Sequence, residues 1–398
     1  MKLALIRQRY TPFGGAERFM DRAIHALGGD ADISVFAREW RGEAAGYRFI
    51  ECNPPHRNNV QRERGFAEAV RAALQTEPFD LVQSHERMVP AGIAAPFLYR
   101  AGDGVHATWL HERARAQGVM GSLRNAVNPY HRFMVALERD MFTHANLAGV
   151  ICNSRMVRDD IAARFGVPAS RLHVIYNGVD LDKYHPRLRD DHASHRPETI
   201  GGSASSSTSP LLLYVGSGFE RKGVKQLLTA FARAGASTTG VAAGAAAQAT
   251  LVIAGADKHT ARYAQLAAQL GISARVRFVG AVADITPYYA AADAFVLPTL
   301  YDPMPNAALE ALACGLPVLT TTTCGAAEFI REGVNGFVRD ALDVDGLAQA
   351  MTLLANPAQA ASMREAARAS VAHLSLDAMA QQLLALYRTL TRTNTARG

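Results

Sequence analysis

One pattern occurs twice in this chain, and it restricts the fold more than any other feature. A short apolar run without turn residues, Lys2–Ile6, leads into Thr11-Pro12-Phe13-Gly14-Gly15. A helical spacing follows, with Phe19, Met20, Ala23, Ile24 and Leu27 on one face. The same order returns in the second half. Leu211–Val215 runs into Gly216–Gly223, and Val224, Leu227, Leu228 and Phe231 then recur at i, i+3, i+4 and i+7. Strand, glycine turn and helix make the first unit of a doubly wound parallel sheet. A chain that opens this way twice is expected to be an α/β protein of two Rossmann-like domains facing each other across a cleft, with ligands at the C-terminal ends of strands.

The rest of the chain keeps the alternation. Ile33–Ala37, Asp80–Gln83, Phe97–Arg100, Gly149–Cys152 and Val174–Tyr176 read as strands of the first half. Asn153-Ser154 is an N-cap pair for a helix at Met156–Phe165. Thr250–Ala254, Val276–Val279, Ala294–Leu297 and Pro317–Thr320 read as strands of the second half. Val344–Leu354, Ala358–Ala372 and Leu376–Leu390 read as helices. Between the halves, residues 186–209 are polar, hold Gly, Ser and Pro, and show no periodicity, as a linker or surface insertion does. A length of 398 residues accommodates two or three domains.

Composition narrows the class. A 49% hydrophobic, 20% charged chain is globular rather than disordered. Cys52, Cys152, Cys314 and Cys324 are too few for a disulfide scaffold and lack zinc-ligand spacing, so reduced structural thiols in a cytoplasm are expected. Arg7 and Arg9 end the first apolar run before it reaches the length of a secretory signal. No apolar stretch reaches the roughly 20 residues of a spanning helix. The net charge of +6 leaves nucleic acid, an anionic membrane or an anionic small substrate open as partners.

Several residues carry chemistry in this frame. Gly14 and Gly15 let the backbone approach a phosphate at a helix N-terminus, although two glycines also suit a plain tight turn. Gly216–Gly223 adds Arg221 and Lys222, two cations suited to a diphosphate, and its spacing is not that of a Walker A loop. Asp302 sits in the loop after the strand Ala294–Leu297, and Asn306 begins or caps a helix carrying Glu310. Glu310 lies among apolar residues, and a buried carboxylate there needs a partner. Asp103 and His106 follow a strand of the first half and can bond a sugar hydroxyl or polarise a reacting group; a structural role is equally open. Trp109–Phe142 mixes Arg and His with large apolar side chains, as suits a helix lying on an anionic membrane or an ordinary amphipathic domain helix. The triplets Asp30-Ala-Asp32, Asp180-Leu-Asp182 and Asp343-Val-Asp345 follow no clear buried strand and read as structural rather than metal-binding.

The order of the pieces is that of a family. Asn177-Gly178-Val179-Asp180, Val215-Gly216 with Arg221-Lys222-Gly223, Ile253-Ala254-Gly255, Val279-Gly280 and Tyr289–Asp293 come first. Pro298, Asp302 with Glu310–Val318, Gly325–Glu328 and Asn335-Gly336 then follow. Together they resemble the retaining family 4 glycosyltransferases of the two-Rossmann GT-B fold. With Phe13-Gly14-Gly15 the resemblance covers nearly the whole chain, and it is strongest to the lipopolysaccharide core glucosyltransferases within that family. It implies an acceptor-side domain of residues 1–180 with a C-terminal helix at 376–398, a linker at 181–209, and a donor-binding domain at 210–375. It implies that Gly14, Gly15 and Gly216 approach the donor, that Arg221 and Lys222 hold its diphosphate, and that Glu310 holds the ribose hydroxyls. Asp302 would contact the sugar, with Asn306 and Ala307 also on the donor. Val282 would offer backbone groups to the base, and Asp103 or His106 would face the sugar and acceptor.

The implied reaction is retaining transfer of a hexose or heptose from a nucleotide diphosphate-sugar, UDP-glucose-like, to a lipopolysaccharide-core or other lipid-linked glycan. No cofactor and no metal are expected, and nucleic acid becomes the least expected partner, since no nucleic-acid fold motif is present. The implied location is cytoplasmic, peripheral on the inner membrane, with residues 109–142 on the anionic surface. Two departures stand out. Asp302 occupies a position where the family has Glu, and Pro303 and Pro305 have no N–H to donate. A nucleotide-sugar epimerase of the same fold and a non-catalytic membrane-surface protein remain as alternatives.

Overall fold

The computed structural model describes residues 1–10, 31–40, 46–191, 209–236 and 241–395. The chain divides into two units, Met1–Gly178 with Leu376–Gly398, and Val179–Ser375.

The first unit contains β1 (Lys2–Ile6), β2 (Arg9–Tyr10), β3 (Asp32–Ala37), β4 (Glu39–Trp40), β5 (Arg48–Glu51), β6 (Leu81–Ser84), β7 (Phe97–Ala101), β8 (Leu147–Cys152) and β9 (Leu172–Val174). Seven of these form one sheet in the order β5-β3-β1-β6-β7-β8-β9, while β2 and β4 pair separately. Every pairing in the large sheet is parallel. Leu3–Ile6 are fully buried because helices cover both faces, which is why β1 reads as a continuous apolar run instead of an alternating one. The helices α1 (Asn59–Leu74), α2 (His106–Val127), α3 (Pro129–Phe142) and α4 (Arg155–Phe165) belong to this unit. Ser154 caps α4 by accepting from the Val157 N–H, and Gly166 ends it at φ +66°.

The second unit is built on β10 (Leu211–Val215), β11 (Thr250–Ala254), β12 (Val276–Gly280), β13 (Ala294–Val296), β14 (Val318–Thr321) and β15 (Gly336–Arg339). Their order is β12-β11-β10-β13-β14-β15, again all parallel. The helix after β10, α5 (Val224–Ala236), buries Val224, Leu227, Leu228 and Phe231. At ~1.5–3 kcal/mol for each large side chain, this stripe holds α5 on the sheet. The unit also contains the helices α6 (Asn306–Ala313) and α7 (Val344–Leu354). Residues 181–191 pack on this unit. Arg189 binds Asp293 at 2.7 Å and the Ala292 carbonyl, while Arg368 donates to the carbonyls of Tyr184, Ala313 and Leu181. The remainder of the polar stretch, 192–208, lies outside the described residues.

The last helix, α8 (Leu376–Thr395), returns to the first unit. Met379, Leu383, Leu386 and Tyr387 pack beneath β1, β3 and β6, and the Tyr387 hydroxyl donates to Gln83 at 2.6 Å.

Several elements differ from the sequence reading. The strand expected at Val174–Tyr176 lies at Leu172–Val174. The helix expected at Ala358–Ala372 is two, Pro357–Ser362 and Arg364–Val371, which meet at Met363. β5 gives no apolar signal because it is an edge strand with mostly exposed side chains. β15 opens on Gly336, a weak strand residue, because a Cβ there would sit 2.0 Å from the Val318 carbonyl oxygen.

Candidate functional site

In a doubly wound sheet, ligands bind beyond the C-terminal ends of the strands where the winding reverses. In the second unit the chain lays down β10, β11 and β12 outward, then returns to place β13 against the other side of β10. The switch point is therefore at the ends of β10 and β13. Those ends carry Gly216–Gly223 and Pro298–Asp302, so the topology brings together two motifs about which the sequence could argue only separately.

The two loops are joined through backbone and charge. The Arg221 carbonyl accepts from Leu300 N–H at 2.8 Å and from the Thr299 hydroxyl at 3.0 Å. Gly223 sits at φ +73°, and a Cβ there would lie 1.8 Å from the Pro298 carbonyl oxygen, so only glycine permits this approach. Lys222 Nζ donates to Asp302 Oδ2 at 2.9 Å, with both side chains largely buried. Asp302 is itself fixed, its N–H bonding Thr323 and its carbonyl accepting from Gly325. The Arg221 guanidinium forms no ion pair with the described residues and is partly exposed. On the far side of the first loop, the Asp257 carboxylate accepts from Phe219 N–H at 2.9 Å. Under it, the Tyr214 hydroxyl is fully buried without a hydrogen-bond partner among the described residues. Burial, then the Asp302 charge, pushes its pKa well up.

Glu310 lies on α6 and is 5% exposed. The partner that its burial demanded is Tyr289, whose hydroxyl donates to Glu310 Oε2 at 3.1 Å and is also within 3.1 Å of the Ala307 carbonyl. That bond uses one carboxylate oxygen. Burial, followed by the Glu310 charge, holds the Tyr289 phenol protonated. Pro305 stands at the N-cap of α6 and offers no side-chain cap. The helix N-terminus, at Asn306 and Ala307, is thus a favourable place for negative charge. Val282 is half-buried in the turn after β12, next to Gly280 at φ +71°.

The first unit has its own switch point, at the ends of β1 and β6. Arg7 pairs with Glu86 there at 3.2 Å, and Gln8 N–H donates to the same carboxylate at 3.0 Å. Gly14 and Gly15 lie outside the described residues. Asp103 is exposed in the loop between β7 and α2. His106 is the first residue of α2, and its Nε2 is 3.1 Å from His131 Nδ1, with Tyr130 edge-on at 6.3 Å. Burial, then the charges of Arg87 and His131, lowers its pKa to about 3, so it stays neutral at pH 7.

The basic stretch forms two helices. Gly118 breaks α2 at φ +70°, and α3 follows directly. Val119, Met120, Leu123 and Val127 stand 60–85% exposed on the far half of α2. Beside them is a groove of about 680 Å³ lined by Leu110, Ala114, Ala126, Val135, Arg132 and Arg139 among others. No helix among the described residues is long and apolar enough to cross a membrane. The acidic triplets have local roles where described. Asp180 accepts from Lys183 N–H, Asp343 caps α7 through Gly346 N–H, and Asp345 pairs with Arg233. All four cysteines are buried and unpaired by disulfides, and burial raises Cys52 to about 11 and Cys152 and Cys324 to about 12.

Sequence reasoning missed Tyr289, Arg87 and Glu138. Glu138 is 0% exposed on α3, between Met134 and Met141 on its buried face. A carboxylate on an apolar helix face was the signal that singled out Glu310, and it was present here too.

Comparison with known proteins places the chain. A Glycosyltransferase Family 4 model matches residues 13–183, and a Glycosyl transferases group 1 model matches residues 195–370. The chain is 26% identical to the lipopolysaccharide glucosyltransferase WaaG of Escherichia coli (strain K12) over 85% of each chain. The crystal structure of WaaG, a glycosyltransferase involved in lipopolysaccharide biosynthesis, superposes with a TM-score of 0.78 at 23% identity, covering 96% of this chain and 98% of that one. The crystal structure of Anabaena Alr3699/HepE in complex with UDP-glucose superposes with a TM-score of 0.71 at 20% identity, covering 98% of this chain and 100% of that one.

Proposed function

The chain belongs to the GT-B glycosyltransferases of group 1 and family 4, and from that premise we propose that it transfers a hexose or heptose, with retention, from a UDP-glucose-like donor to a lipopolysaccharide-core or other lipid-linked glycan. One observation carries the reading: Arg221, Lys222 and Asp302 converge at the switch point of the second unit, with Lys222 and Asp302 2.9 Å apart. The relatives support it, since WaaG is a lipopolysaccharide glucosyltransferase and the structural neighbour holds UDP-glucose.

The roles follow from charge. When the glycosidic bond to the diphosphate breaks, negative charge grows on the leaving β-phosphate. Arg221 takes it in a bidentate fork, Lys222 as a point charge, and the α6 N-terminus adds oriented N–H groups. Lys222 must loosen its hold on Asp302 to do so. Asp302 then accepts from a hydroxyl of the transferred sugar. Glu310, steadied by Tyr289, accepts from the ribose hydroxyls. A donor phosphate oxygen takes the acceptor proton on the same face, so no separate protein base enters. Removing such an oxyanion donor costs ~3 kcal/mol in the transition state. This electrostatic stabilisation stands where other transferases place a divalent cation, so turnover is expected to persist in EDTA.

Residues 109–142 supply the acceptor-side membrane contact in this reading. The exposed Val119, Met120, Leu123 and Val127 enter the interface, and Arg132 and Arg139 meet anionic headgroups at the cytoplasmic face.

The deciding experiment is a thermal-shift screen over nucleotide sugars, followed by NMR of the product formed with delipidated core oligosaccharide. UDP-glucose is expected to raise the melting temperature and give an α-linked product. Product formed with no acceptor present, or near-full turnover by Arg221→Ala/Lys222→Ala, overturns the reading. Membrane contact is checked by cosedimentation: binding to anionic vesicles that falls with salt is expected, and salt-insensitive binding to neutral vesicles refutes it.

A further inference from the structure

The loop that carries Asp103 is held by a buried ion pair that donor binding does not use. The loop leaves β7 at Gly102, turns at Gly104 with φ +65°, and enters α2 at His106. Val105 precedes the helix and has no side chain with which to cap it. A Ser or Asp at that position would cap locally. Instead, the carboxylate of Glu138 arrives from α3. Oε1 accepts from His106 N–H at 2.6 Å, and Oε2 accepts from Ala107 N–H at 3.3 Å. Arg87, just past β6, closes the arrangement. Its Nε donates to Glu138 Oε1 at 2.8 Å and its Nη2 donates to the Gly104 carbonyl at 2.8 Å. Burial opposes the Arg87 charge, but Tyr99, Glu138 and Asp103 more than offset it and hold the guanidinium protonated.

A largely buried ion pair such as this is a poor source of net stability, because desolvation offsets the attraction. What this pair achieves is geometric. It ties together the end of β6, the turn after β7 and the buried face of α3, and the backbone groups it binds, Gly104, His106 and Ala107, all lie within four residues of Asp103. It also fills the α2 N-terminus with an internal anion, so Asp103 is not needed as a cap and stays exposed.

We propose that Arg87 and Glu138 are positioning residues for the transfer step, fixing the Gly102–Val105 turn so that Asp103 meets the acceptor hydroxyl. The proposal rests on the reading of Asp103 as an acceptor-side residue.

The test uses the full chain with UDP-glucose as donor and delipidated core oligosaccharide as acceptor, in the variants Glu138→Gln, Arg87→Lys, Arg87→Gln and Asp103→Asn. For Glu138→Gln and Arg87→Gln, the expected result is a tenfold or greater loss in kcat/KM for the acceptor. KM for the donor and the thermal shift with UDP stay within twofold of the parent. Arg87→Lys, which keeps the charge beside Glu138, retains more transfer than Arg87→Gln. Hydrogen exchange at residues 103–107 rises at least tenfold in Glu138→Gln while β1 and β6 stay protected. This readout is independent of turnover. If Glu138→Gln does not fold, Glu138→Asp keeps the charge and shortens the reach, and is expected to show the same split in milder form. Unchanged exchange, unchanged acceptor kinetics, or equal losses on donor and acceptor sides overturns the proposal. Parent-like transfer by Asp103→Asn overturns the reading beneath it. Impaired Asp103→Asn beside parent-like Glu138 and Arg87 variants overturns this inference alone.

Discussion

Replacing Lys222 by Ala leaves Asp302 as a buried carboxylate, 5% exposed, without the ammonium 2.9 Å away. Breaking a buried pair by deleting one partner costs ~3–5 kcal/mol, because the remaining charge keeps its desolvation penalty and loses its attraction. Lys222 retains some solvent contact, at 13% side-chain exposure, so the lower end applies. At ~2–4 °C per kcal/mol for a unit of this size, about 3 kcal/mol lowers the melting temperature by roughly 6–12 °C. Lys222→Ala/Asp302→Asn removes both charges and is expected to recover most of that loss. The double-mutant cycle should then show a coupling of ~1–3 kcal/mol. Binding of UDP separates charge from stability. Asp302→Asn removes a negative charge and frees Lys222, so UDP should bind more tightly while sugar transfer falls. Lys222→Ala should weaken UDP by tenfold or more, about 1.4 kcal/mol. Calorimetric titration with UDP and denaturation of the four proteins measure both. A coupling below ~0.5 kcal/mol, or UDP binding by Lys222→Ala equal to the parent, would refute the argument.

Other outcomes follow from the same geometry. Gly223→Ala places a Cβ 1.8 Å from the Pro298 carbonyl oxygen at φ +73°, so the thermal shift with UDP should be lost even where the protein still folds. Glu310→Gln removes a charged acceptor for the ribose hydroxyls and should raise the donor KM roughly ten- to hundredfold, for the ~1.5–3 kcal/mol of a charged hydrogen bond. Tyr289→Phe should cost ~1 kcal/mol of stability and shift the donor KM less than Glu310→Gln, as measured by urea denaturation and initial rates. His85 and His106 are neutral in the folded state, both depressed first by burial and then by nearby Arg charges. The unfolded chain protonates them below about pH 6.5, so it binds more protons and stability falls as pH drops from there. For His106 the loss continues down to about pH 3. At pH 5 His106 contributes a loss of ~2 kcal/mol, and His106→Gln should flatten the slope in urea titrations at pH 7 and pH 5.

Much of the fold was legible in local pattern. β1 and β10 lie at the bounds their sequence pattern sets, and the stripe Val224, Leu227, Leu228 and Phe231 is the buried face of α5, because a strand buried on both faces is a continuous apolar run and a helix on a sheet is an i, i+3, i+4 stripe. The Ser154 cap was legible because capping is a contact within one turn. β5 was not, since an edge strand with exposed side chains leaves no hydrophobic signature. For the site, the reading of Glu310 as a carboxylate in need of a partner was sound, but nothing near it in sequence pointed to Tyr289, 21 residues away.

What the sequence determined alone is therefore the repeated strand–glycine turn–helix unit, the two parallel sheets, and which residue types stand at the strand ends. These follow from interactions spanning a few residues, whose strength depends on backbone geometry and side-chain period. The tertiary structure decided which charges meet. Lys222 and Asp302 are 80 residues apart, and Arg87 and Glu138 are 51 apart. The first pair is joined because neighbouring parallel strands are distant in the chain, the second because a helix packs its buried face against a strand end, and the burial that makes both pairs matter exists only once the sheet is covered.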